Sequence, residues 1–299
     1  MLENFALPFA LVALMLGLGM TLTREDFARV AEKKWIVPAS IGSIYLAMPV
    51  FAWCIGRLLL PTDTSLSLGL ILLAVCPGGM FSNMVTHWAR GNVALSVGLT
   101  VTSTLVYAFA APIVVLCALG HPAGALGGTV SAMLRMVAEV AGAVIVPLLA
   151  GMSIRRRYPR VSALTETPLR TIAALLVVVV FGWFGYEHLH SFESAGLRIL
   201  GAVVLLNSAG WFMAALLTLR FRLSKREFIA VGVEHSIRQE GVGVFVAISV
   251  MGMPQIVPPL IVNSLVGLLV SFIVNAAIAA RMRERRAARP PSPLFIEPD

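Results

Sequence analysis

Residues 228–250 read FIAVGVEHSIRQEGVGVFVAISV. Both flanks are apolar enough to sit in a bilayer, yet Glu234, His235, Ser236, Arg238, Gln239 and Glu240 fall at the centre of the stretch. A charge at the middle of a membrane helix costs about 2.5–3.5 kcal/mol on insertion scales, so such residues face a cavity or a partner rather than lipid. Ionisable groups at that depth mark a transport or ion site by default.

Outward from this run, the composition agrees. Of the 299 residues, 58% are apolar and 13% charged, against about 25% charged in a soluble domain, and the mean hydropathy is +0.88. The chain is an integral membrane protein. Its formal charge of +8 suggests nucleic acid only until the basic residues are placed. Nearly all of them lie in short loops between apolar segments, the positive-inside pattern, which leaves no basic face for nucleic acid. Cys54, Cys76 and Cys117 lie in apolar segments without paired spacing, which argues against disulfides and thiolate metal centres. The start Met-Leu-Glu places no basic region before its apolar run, which argues against a cleaved signal peptide.

Windows of about 20 apolar residues span a bilayer, and nine are expected, at approximately 4–22, 35–59, 66–88, 93–118, 128–152, 170–186, 196–219, 228–252 and 256–280. Nineteen of the 23 Lys and Arg then fall on one side. Those are in the loops at 24–34, 90, 155–170 and 220–226, and in the tail after 280; Arg57, Arg135, Arg198 and Arg238 are the rest. This bias places the N-terminus outside and the C-terminus in the cytoplasm, with residues 281–299 as a basic, proline-rich, disordered tail.

A second interruption stands in the third segment, Cys76-Pro77-Gly78-Gly79-Met80-Phe81-Ser82-Asn83. Proline followed by two glycines breaks a helix. The two broken segments are five apart in the chain, so they cross the membrane in opposite directions. Broken segments in corresponding, oppositely oriented positions point to an inverted-repeat secondary transporter. Unwound carbonyls at such breaks can hold Na⁺.

These residues resemble the bile acid:sodium symporter family and its bacterial homologues. The resemblance covers most of the chain and is sharpest at Cys76-Pro77-Gly78-Gly79 through Ser82-Asn83, at Ala89-Arg90-Gly91-Asn92-Val93-Ala94-Leu95-Ser96 with Thr100, and at Glu234 and Gly241, which open and close a family Glu-x-Gly-x-Gln-Asn-Ser-Gly motif. It implies an all-α membrane fold of nine transmembrane helices in a single domain over 1–280. A panel (approximately 4–22, 128–152 and 170–186) would pack on a core (approximately 35–118 and 196–280) in which the two broken helices cross.

The resemblance also implies two sodium sites. Side chains for the first match at Ser82, Asn83, Ser96, Thr100 and Glu234, and a hard cation wants such a set of oxygens, one of them charged. Ser96 and Thr100, four apart, lie on one helix face. The two glutamines of the second site are replaced by Arg238 and Ile44. The motif asparagine is Gln239 and its serine is Glu240, while a His-Asn pair in the ninth segment reads Asn263-Ser264. Gln239, Asn263 and Ser264 are expected to line the substrate side. Arginine stays charged when buried. Arg238 therefore either stands in for the second Na⁺, paired with Glu234 or Glu240, or forms a silent ion pair, or binds an anionic substrate. Coupling would fall to one Na⁺ or shift to H⁺ on Glu234 or Glu240.

Arg135 and Glu139, also four apart, read as an ion pair within the panel or as a gating contact against the core. His235 can relay protons or simply line the cavity. No His-Glu-x-x-His, Gly-x-Ser-x-Gly or phosphate-binding loop is present, so the chain is neither an enzyme of those types nor an ATP-driven pump. The expected function is cation-coupled uptake of an organic anion across a cell membrane, the inner membrane in a bacterium, by alternating access. The alternatives are a superfamily exporter of an oxyanion such as arsenite, turning on Cys76, and a ligand-binding membrane sensor that does not transport.

Overall fold

A computed structural model describes residues 2–23, 35–118, 126–187 and 189–287. All the long elements are helices. They are α1 (Leu2–Thr21), α2 (Ile36–Leu59), α3 (Thr64–Val75), α4 (Met80–Trp88), α5 (Val93–Ala118), α6 (Leu126–Arg157), α7 (Pro159–Glu187), α8 (Leu189–Phe221), α9 (Lys225–Ser236), α10 (Glu240–Phe245) and α11 (Pro258–Ala287). Among the described residues six helices are long and apolar enough to cross a membrane, and three shorter apolar helices accompany them. Large apolar side chains such as Leu197, Leu219 and Leu164 stay on the outside, each more than three-quarters exposed. In water such a surface would be a liability; in lipid it is the ordinary exterior.

Local chemistry sets the helix ends. Asp63 caps α3 by accepting from the Leu66 amide at 2.9 Å. Ser224 and Glu227 form a reciprocal capping box at the start of α9, a signal legible as Ser-x-x-Glu before an apolar run. Asn92 accepts from the Leu95 amide at the start of α5, and its own amide donates to the Arg226 carbonyl. The loops entering α5 and α9 are thereby tied together.

Helices α1, α6 and α7 pack on one another, while α2 to α5 and α8 to α11 form the remainder. The approach of α1 to α6 is backbone to backbone. A Cβ on Gly19 would stand 2.0 Å from the Leu148 carbonyl oxygen, and one on Gly151 would stand 2.1 Å from that of Leu16. Small residues permit this close packing where lipid supplies no hydrophobic drive.

Several boundaries differ from the expected ones. The sixth segment starts at Pro159 rather than 170, because Pro168 sits inside a continuous helix. Helix α11 runs on to Ala287, so the first seven residues of the expected disordered tail are helical; 288–299 lie outside the described residues. Two π-helical turns, Ser43–Ala47 within α2 and Val246–Val250 after α10, had no signal in the hydropathy pattern.

Candidate functional site

The two interruptions meet. Helix α3 ends at Val75 and α4 begins at Met80; α9 ends at Ser236 and α10 begins at Glu240. Gly78 and Arg238 form an antiparallel bridge. Around it the Gly79 amide donates to the Ile237 carbonyl at 3.3 Å, and the Gln239 amide donates to the Pro77 carbonyl at 2.9 Å. Each break thus satisfies backbone groups that the other left open, the condition for non-helical backbone inside a membrane.

On one side of this bridge lies Glu234, fully buried in the last turn of α9. Its Oε1 accepts from the Ser82 hydroxyl, from Ser96 at 2.7 Å and from Thr100 at 3.0 Å; Thr100 also reaches Oε2 at 3.1 Å. Ser82 comes from the first turn of α4, Ser96 and Thr100 from one face of α5. Thr86 stands 3.2 Å from Ser96 as an outer neighbour. Gly78, read from sequence only as a helix breaker, also belongs to this pocket, a role that a reading of side chains overlooks. A Cβ there would lie 1.7 Å from Glu234 Oε2.

The donor set suits a small hard cation. Every side-chain contact is an oxygen, one group is a carboxylate, and each hydroxyl keeps lone pairs after giving its single proton. Asn83, expected in the same set, makes no hydrogen bond to Glu234 among the described residues, but its Oδ1 is buried without a partner, an acceptor with nothing donating to it. No cluster of three His, Cys, Asp or Glu occurs among the described residues, so a cation here would be held by hydroxyls and a carboxylate.

On the other side lies Arg238, 4% exposed. The expected pairing with Glu234 or Glu240 is not formed: among the described residues no ion pair within 4.0 Å joins it to either carboxylate. Instead Nε donates to the His235 carbonyl at 3.0 Å, and Nη1 donates to those of Ala74 and Cys76, both at 2.9 Å. These carbonyls stand at the C-terminal ends of α3 and α9, where the helix macrodipole is negative and acceptors are unused. The reason is local: α9 stops at Ser236 and Ile237 is extended (φ −89°, ψ 103°), so the four-residue helical spacing from Glu234 no longer applies. Nη2 remains buried without a partner. Ile44 is fully buried in the apolar core.

A third polar group runs away from the bridge. Asn207 Nδ2 donates to Asn263 Oδ1 at 2.7 Å, and Asn263 Nδ2 donates to Glu240 Oε1 at 2.6 Å. Gln239 is 7% exposed, and both atoms of its side-chain amide lack partners. Ser264 stays out of this chain; its hydroxyl donates to the Leu260 carbonyl on its own helix at 3.5 Å. His235 is buried, with Nδ1 2.7 Å from the Val231 carbonyl and Nε2 2.7 Å from Ser43 Oγ. Ser43 opens the π-turn of α2, which is how that turn reaches α9.

Two other expectations change. Arg135 and Glu139 are exposed and form no ion pair with each other; both line a cavity of about 510 Å³ between α6, the end of α5 and the segment after α10. That is the position of a contact between α6 and the remainder rather than of a pair internal to α6. Cys76 is fully buried among apolar residues, and its thiol donates to the Leu72 carbonyl at 3.3 Å, which leaves it no open face for an oxyanion.

A model of the sodium bile acid symporter family matches residues 8–187, a stretch that includes the first break. The chain is 26% identical over 235 residues to an uncharacterized sodium-dependent transporter, YocS, of Bacillus subtilis, covering 78% of this chain and 71% of that one. It is 30% identical over 257 residues to a probable chloroplastic sodium/metabolite cotransporter of Oryza sativa subsp. japonica (84% and 60%). Similarity to the ileal sodium/bile acid cotransporter of Mus musculus is 23% over 217 residues (70% and 60%). The chain therefore spans about three fifths of the length of the plant and mammalian relatives.

Proposed function

The chain belongs to the sodium bile acid symporter family, a family of multi-pass membrane transporters rather than enzymes, and on that premise we propose that it is a sodium-coupled carrier of an organic anion with one Na⁺ site in place of two. Nine crossings would place the N-terminus outside. Helices α1, α6 and α7 would act as the panel, and the rest as a core that moves against it. The observation that carries this reading is the Glu234 pocket: a fully buried carboxylate faced by three hydroxyls at the meeting point of two broken helices. Bound Na⁺, together with Ser82, Asn83, Ser96 and Thr100, would offset the cost of burying that carboxylate. The names of the Bacillus and rice relatives, a sodium-dependent transporter and a sodium/metabolite cotransporter, are in keeping with it.

Arg238 supplies the argument for one ion. Carbonyls of Ala74, Cys76 and His235 converge on its guanidinium, so a fixed cation that cannot dissociate fills a place built from helix C-termini. Coupling by H⁺ on Glu234 or Glu240 is the variant of this reading in which the pocket carries a proton instead. The test is uptake into liposomes with Na⁺ and pH varied separately. A single-ion carrier gives a Hill coefficient near 1 for Na⁺, and Glu234→Gln removes the sodium response. Cooperative dependence on two Na⁺ overturns the one-ion stoichiometry, and a response to pH alone moves the coupling to protons.

A further inference from the structure

We infer that the solute carries an ammonium group beside its carboxylate, and that Glu240 is the residue that recognises it; this rests on the sodium-coupled carrier reading above and narrows its organic acid to a zwitterion in place of a simple anion. Arg238, Gln239 and Glu240 are consecutive at the second break, and the first two offer polar atoms that the protein does not use. Nη2 of Arg238 and both amide atoms of Gln239 are buried without hydrogen bonds. Buried polar atoms are almost always paired, and leaving them unpaired is costly, so three such atoms on consecutive residues call for a partner from outside the chain, and a solute's carboxylate is one that suits the donors among them.

Glu240 differs from its two neighbours. It is partly exposed, and its Oε1 is held by Asn263 at 2.6 Å. The carboxylate is therefore positioned while part of the residue stays open. The short helix α10 that Glu240 opens packs against α1, and a Cβ on Gly241 would be 3.8 Å from Val177 of α7, so this helix lies where the two groups of helices meet. A solute held between those groups would pass it.

Charge decides the class. The run contains two carboxylates, Glu234 and Glu240, and one guanidinium, Arg238. One Na⁺ in the Glu234 pocket brings that total to neutral. A simple monoanion would then add an unbalanced charge to a water-poor site, which is costly. A zwitterion adds none: its carboxylate takes the donors of Arg238 Nη2 and Gln239, and its ammonium takes the Glu240 carboxylate.

The experiment measures thermal stabilisation of the purified full chain in detergent at saturating Na⁺, with two series of matched acids. One is 3-methylbutanoate, 2-hydroxy-3-methylbutanoate and valine; the other is 3-phenylpropanoate, 3-phenyllactate and phenylalanine. In at least one series the amino acid binds best, the hydroxy acid next and the unsubstituted acid worst, with at least about tenfold between first and last. Glu240→Gln abolishes the amino acid's advantage and tightens binding of the unsubstituted acid, whose charge is then balanced. Equal or tighter binding of the unsubstituted acids by the wild type, silence across both series, or an unchanged ranking in Glu240→Gln overturns the inference. If that variant does not fold, the wild-type ranking decides by itself. Stabilisation by Na⁺ alone, present in the wild type and absent in Glu234→Gln, keeps the carrier reading standing whatever the acids do; its absence in the wild type removes that reading instead.

Discussion

Glu234 and Arg238 are buried charges four residues apart on either side of the same bridge, and they are satisfied in opposite ways. Glu234 is held by side-chain hydroxyls from α4 and α5, groups that can turn and share their lone pairs with a visiting ion. Arg238 is held by backbone carbonyls at helix ends, which neither turn nor leave, and its own charge is covalently attached. On the proposed reading, one pocket exchanges a cation and the other keeps one. A carrier needs the first property at its coupling site. The second serves to hold two broken helices together when no ion is there to do so.

Breaking the comparison at its rigid side should have the larger effect on stability. Arg238→Met leaves three carbonyls without a donor, each worth about 1–3 kcal/mol when buried and not simply additive; a loss of about 3 kcal/mol or more, read as a lowered Tm in detergent, is expected. Retention of wild-type Tm would show that the carbonyls have other partners. Gly78→Ala comes next. The new methyl overlaps Glu234 Oε2, and overpacking of this kind costs about 1–3 kcal/mol. It should weaken Na⁺ stabilisation as well, so an alanine variant with unaltered Na⁺ response would separate Gly78 from the pocket.

At the exchangeable side the effect falls on affinity. Ser96→Ala removes one of three hydroxyls from Glu234 and should raise the half-saturating Na⁺ concentration about tenfold, the equivalent of about 1.4 kcal/mol, while Tm without Na⁺ changes little. Titration of Tm against Na⁺ reads both quantities. Smallest is Ser224→Ala, which breaks the capping box of α9 at a cost of about 1 kcal/mol. It lies at the far end of the helix from Glu234, so its Na⁺ affinity should equal that of the wild type; a shift there would mean that the pocket depends on how α9 begins.

The hydroxyls that gather on Glu234 were largely legible in the chain because they sit on regular helices. Ser96 and Thr100 are one turn apart within α5, and their shared face follows from helical period alone. Glu234 announced itself by being a charge in an apolar run. Arg238 misled for the same reason: the helical rule that pairs residues four apart was carried across a point where the helix has ended. Gly78 was quoted as a helix breaker, but its second role, leaving room for a carboxylate 156 positions later in the chain, has no local signature. The contact of His235 with Ser43 likewise depends on a π-turn that hydropathy does not encode.

By itself, then, the sequence determined that the protein lies in a membrane, where its helices run and where two of them break, because hydropathy, proline and glycine act over a few residues at a time. The tertiary structure decided that the two breaks bridge each other, that Ser82, Ser96 and Thr100 share one carboxylate, and that Arg238 answers to carbonyls instead of acids. Those partners lie between 134 and 164 positions away in the chain. They are chosen by which buried polar groups are left unsatisfied once the helices have packed, and only the folded chain settles that.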